Sequence, residues 1–99
     1  MSLLRTWIVT VASWMLTHWG TPVRVRAQAW DILRTVHPEA DEIDAALLAA
    51  FADCGLPREA YDHDFDLLHS GKLHEVLVHA SARLGNPLVT VADVRELLV

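Results

Sequence analysis

Apolar residues dominate from Leu3 to Leu16, interrupted by Arg5 and by hydroxyl side chains at Thr6, Thr10 and Ser13, with Thr17 just beyond. The four hydroxyls recur at spacings of 4, 3 and 4, which gathers them into one stripe of a helix. The remaining perimeter is apolar, the pattern of a helix that is buried or held in an interface. Its hydroxyls can bond back to the preceding turn, so the stripe is free to turn away from water. Ser2 is placed to cap this helix, and Gly20 to close it just past His18. The β-branched run Ile8–Val11 leaves a strand as the alternative.

The rest of the chain reads as further helices separated by strong punctuation. Thr21-Pro22 marks a second start, followed by Val25, Ala29, Ile32, Leu33 and Val36 at helical spacing and a stop at His37-Pro38. The alternation of Val23 to Arg26 leaves the first turn open to a short strand. Acids from Glu39 to Asp44 suit the first turn of a third helix, whose stripe of Ile43, Ala46, Leu47, Ala50, Phe51 and Cys54 ends at Gly55 and Pro57. Residues 56–70 are expected to be the long irregular stretch. A fourth helix is predicted from Ser70 to Leu84, with Gly85 past its end. Thr90-x-x-Asp93 has the form of a capping box opening a fifth helix through Leu98. The expected fold is all-α, a compact bundle of four to five short helices in one domain spanning residues 1–99.

Charge divides that domain. Residues 1–37 hold four arginines, one acid and all four tryptophans, a net of +3, while residues 38–99 hold four Lys/Arg and twelve Asp/Glu, a net of −8. The halves are therefore expected to attract each other or to face different partners. The overall charge of −5 argues against general nucleic-acid affinity. Arg24, Arg26 and Arg34 with Trp30 form the alternative, a small DNA-binding patch on the second helix. The order of Met1–Arg5, Trp7–Leu16 and Ala27-Gln28-Ala29 resembles a cleavable leader, but the stretch from His18 to Ala29 is long and carries Arg24 and Arg26. Leu3–Trp19 falls short of a membrane span and contains Arg5 and His18. A cytoplasmic location is the default expectation.

Little in the chain has the spacing of a catalytic or metal site. The single cysteine, Cys54, excludes an intramolecular disulfide and falls on an apolar stripe, where a buried thiol is expected. His74 and His79 lie five apart and diverge by about 140° around a helix, so they do not converge on a metal. Asp62, Asp64 and Asp66 alternate like a calcium loop, but its glycine and glutamate positions hold Leu67 and Leu73. These acids are instead expected to cap helices or pair with Arg24 and Arg26. No metal, no cofactor and no enzymatic activity are expected.

Residues 55–94 resemble the middle of acyl or peptidyl carrier proteins. Asp64-Phe65-Asp66-Leu67 is similar to the acidic Asp-Phe-Phe-Asp-Leu-like run of that family, and His69-Ser70 to the pair that carries its modified serine. The resemblance implies 4′-phosphopantetheine on Ser70, at the start of a helix where the dipole favours a phosphodiester. The loop before Ser70 is shorter than the family's, and Gly71 stands where leucine usually follows the serine.

The leading expectation is a non-enzymatic interaction protein, working as a homodimer, an adaptor or an inhibitor on a larger protein. Trp7, Trp14 and Met15 on the first helix are its expected contacts, with Asp62, Asp64 and Asp66 forming an acidic face for a basic partner. The reasoning concerns area: a small bundle has limited inner surface with which to cover a helix apolar nearly all round.

Overall fold

The structure, a computed structural model, describes the backbone of residues 2–18, 21–63 and 71–98 and the side chains of residues 6–18, 21–62 and 71–98. All regular structure among these residues is α-helical: α1 (Ser2–Thr17), α2 (Val23–Val36), α3 (Ala40–Asp53), α4 (Arg58–His63), α5 (Leu73–Leu84) and α6 (Val91–Leu98). The bundle therefore has one helix more than the expected maximum. The addition is α4, within the stretch read from sequence as irregular, and its six residues are too few to show a helical period. Both possible strands, at Ile8–Val11 and Val23–Arg26, are helix.

Local signals set most of the boundaries. Gly55 and Gly85 end α3 and α5 with φ of +74° and +69°, a region other residues enter at a cost. α6 begins with the carboxylate half of a capping box, one Asp93 oxygen accepting from the N–H groups of Val89 and Thr90 at 2.8 and 3.0 Å, while the Asp93 N–H donates to the Thr90 carbonyl. The two bonds to the carboxylate hold the Asp93 carboxyl below its ordinary pKa. α5 departs from expectation: Gly71, at φ +68°, precedes it and Lys72 occupies the cap, so the helix starts at Leu73.

α1 packs along α2 and against α6, α3 packs on α5 and α4, and α2 touches α3 and α4. The core forms where these layers meet, with Leu16, Leu33, Ile43, Leu47, Phe51, Val76, Val94 and Leu98 excluded from water. Cys54 packs at its margin, partly buried where the apolar stripe predicts a fully buried thiol, and desolvation raises the pKa of that thiol. Phe51 meets Tyr61 edge to face, with ring centroids 5.2 Å apart, which seats α4 on α3.

Polar ties join the layers. Arg83 of α5 forks the carboxylate of Asp53 at the end of α3 through two bonds of 2.9 Å, and this pairing depresses the Asp53 pKa. His37, between α2 and α3, accepts from the Glu39 N–H at Nδ1, which leaves Nε2 to donate to the Leu97 carbonyl at 3.1 Å. Arg34 of α2 meets Asp41 and Asp44 of α3 at 2.6 and 3.2 Å, and Asp31 of its own helix at 2.9 Å. The basic half thus does reach the acidic half, through Arg34. Arg26 binds main-chain carbonyl groups, and Asp64 and Asp66, with which it was expected to pair, lie outside the described residues.

No helix among the described residues is long and apolar enough to cross a membrane.

Candidate functional site

α1 is turned opposite to the usual arrangement of a surface helix. Ser13 and Thr17, the end of the hydroxyl stripe, are buried at 1 % exposure, while Trp7 and Trp14 stand 67 % and 49 % exposed. The buried hydroxyls are satisfied on the helix itself: Ser13 donates to the Thr10 carbonyl and Thr17 to the Ser13 carbonyl, each at 2.9 Å. Because these bonds remove the penalty of burying a hydroxyl, the C-terminal half of the stripe faces the core, while Thr6 and Thr10 stay exposed. Val9, Ala12 and Leu16 complete the inward face.

A buried arginine fixes the joint between α1 and α2. Arg26, 4 % exposed, donates from Nη1 to the Leu16 carbonyl at 3.1 Å, from Nη2 to His18 at 2.8 Å and from Nε to Thr21 at 3.1 Å. The carbonyl groups at the end of a helix have no intrahelical partner, and the planar guanidinium meets three carbonyl oxygens at once. Since the first turn of α2 grips the end of α1 and the two pack along each other, they run antiparallel.

The outer side of this pair is an apolar groove of about 160 Å³. Trp7, Ile8, Val11 and Met15 of α1 and Val25, Gln28 and Ile32 of α2 line it, with the small Ala12 and Ala29 beneath. Of the contacts expected from sequence, Trp7 and Met15 are here. Trp14 is on the neighbouring flank, where the Arg95 guanidinium of α6 lies 4.3 Å from its ring centroid and Arg95 Nε donates to the Thr17 hydroxyl at 2.9 Å. The His18 ring is also close, at 5.8 Å between centroids. Ile8 and Val11 of α1 and Val25, Gln28 and Ile32 of α2 are groove residues that sequence reasoning missed. Ile32 was placed on the inner stripe of α2, yet it is 40 % exposed.

A second depression, of about 210 Å³, is lined by Trp30, Asp31 and Arg34 of α2, Asp44 of α3, and Arg58, Tyr61 and Asp62 of α4, with Arg26 at its edge. Its charged groups engage one another. Arg58 lies 3.4 Å from Asp62, and the Tyr61 hydroxyl donates to the Asp44 carboxylate, which also meets Arg34. Burial, reinforced by the Asp44 charge, pushes the Tyr61 pKa far up and keeps the phenol neutral.

Of the arginine patch considered as the DNA-binding alternative, Arg26 and Trp30 are buried, Arg34 pairs with three carboxylates and Arg24 is exposed. Among the described residues, no three His, Cys, Asp or Glu side chains gather as for a metal ion. Asp64, Asp66 and Ser70 lie outside the described residues, so the acidic face is represented by Asp62 alone. Comparison with protein-family models, with curated proteins and with solved structures finds no match for this chain.

Proposed function

We propose that this chain is a non-enzymatic helical interaction module that docks through the outer face of α1 and α2. The observation that carries the reading is the groove with Trp7 at its rim: a tryptophan 67 % exposed beside half-exposed Ile8, Met15 and Ile32. Solvation of so much clustered apolar surface is unfavourable, at about 25 cal/mol per Å², and contiguous patches of this kind mark binding surfaces. Tryptophan is also the residue most enriched where interfaces concentrate their energy. The packing of α1 supports the same reading, because the helix buries Ser13 and Thr17 while Trp7, Trp14 and Met15 stay exposed.

The test is affinity capture from the native host with the wild-type chain, Trp7→Ala and Ile32→Glu. A protein held by the wild type, released by both variants and rebound by the wild type after purification is the expected result. An identical set of retained proteins for all three chains would overturn the reading.

A further inference from the structure

The groove carries the repeat of a helical seam, and the identity of its occupant follows from that repeat; this inference rests on the docking reading above. Ile8, Val11 and Met15 are spaced 3 then 4 along α1, and Val25, Gln28 and Ile32 are spaced 3 then 4 along α2. Alternating spacings of 3 and 4 keep a seam facing neighbours that cross at about 20°. Here both seams line the open side of one antiparallel pair. Two antiparallel helices with a second apolar seam on their outer side are half of a four-helix bundle.

We infer that the groove is occupied by a second copy of this chain, whose own α1 and α2 lie on it about a two-fold axis and complete a four-helix bundle. In such an isologous contact every group meets the same surface on the other copy. Among the described residues the groove lining carries no charge, so self-pairing brings no like charges together. Its polar member, Gln28, offers both a donor and an acceptor and can satisfy its own copy. Trp7, the most exposed apolar residue of the lining, brings a large side chain to a contact that each copy would share. The area is sufficient. Helices of 14 and 16 residues run about 21–24 Å at a spacing of about 10 Å, giving on the order of 500 Å² per copy and about 1,000 Å² in the pair. A specific interface starts at about that size.

Sedimentation equilibrium of the 99-residue chain from micromolar to millimolar concentration tests this. The expected result is twice the chain mass for the wild type and the single mass for Met15→Glu and Ile32→Glu. Unchanged helical circular dichroism in the variants shows that they still fold. A wild type that stays at the single mass at millimolar concentration, or an Ile32→Glu chain that still pairs, overturns self-pairing. An anilinonaphthalene sulfonate probe separates the two failures. A monomeric wild type that binds the dye, with binding lost in Ile32→Glu, overturns the second copy while leaving a docking face. Dye binding indifferent to Ile32 overturns both.

Discussion

Arg26 Nη1 donates to the carbonyl oxygen of Leu16 at 3.1 Å, so the second helix closes the open end of the first. The same guanidinium serves the carbonyl groups of His18 and Thr21, the first of which also accepts from the Thr21 N–H. Replacing Arg26 with methionine keeps the stem and removes all three donors. The expected loss is about 1–3 kcal/mol, set chiefly by the Leu16 acceptor, whose bond to Arg26 is buried. Urea unfolding measures it as a lower midpoint at constant slope. Arg26→Lys is expected to fall between the two, because an ammonium cannot reproduce the planar fork. A loss under about 0.5 kcal/mol for Arg26→Met would show that the joint does not need these bonds.

Arg95 and Trp14 join α6 to α1. A double-mutant cycle with Trp14→Leu and Arg95→Met is expected to give a coupling of about 0.5–1 kcal/mol, the range for a cation over a partly exposed indole. Amide exchange in α6 should quicken in Arg95→Met, since the Thr17 bond is lost with the ring contact. Additive single effects would mean that the stacking contributes no stability.

Tyr61 is the only tyrosine of the chain, which makes its ionisation a clean reporter of the Asp44 network. The free phenol titrates near pH 10, and burial followed by the Asp44 charge raises it well above that value in the folded protein. The group is an acid held neutral by folding, so its contribution is complete below the unfolded pKa of about 10 and declines as pH rises beyond it. The tyrosinate absorbance should therefore stay absent through pH 10 and emerge only together with loss of helical circular dichroism. A separate tyrosinate transition near pH 10 in the folded chain would contradict the burial of this phenol.

Acid should act through Asp53 and Asp93. Both carboxyls are held below their ordinary pKa, Asp53 by the Arg83 fork and Asp93 by the Val89 and Thr90 N–H groups. Their stabilisation is present above about pH 4 and is lost as pH falls through the depressed values. Asp53→Asn should lower stability at neutral pH and flatten the acid limb of the stability curve, as read by thermal unfolding across pH. A limb unchanged from the wild type would assign the acid response to other groups. Asp93→Ala removes the cap of α6 and should lower Tm by a few degrees at neutral pH.

Element boundaries were largely legible along the chain because they are set within a turn or two. Glycine in the left-handed region, proline and capping carboxylates act on adjacent backbone, so α1, α2, α3 and α6 fall within about two residues of expectation. The all-helical class follows from the same local chemistry. α4 was not legible, since its six residues take their stability from Tyr61 against Phe51 and Asp44, partners that become neighbours only on folding.

Orientation belonged to the tertiary structure. α1 is apolar around most of its perimeter, so periodicity alone gives no inward direction, and Ser13 and Thr17 carry their own acceptors into the core. Arg26 reads as part of a basic patch until the end of α1 arrives beside it and supplies carbonyl oxygens. Ile32 reads as core until α1 leaves it at the edge of the pair. Propensity and capping are properties of neighbouring residues, whereas the choice of face depends on which distant surfaces compete for it, and only the assembled bundle settles that competition.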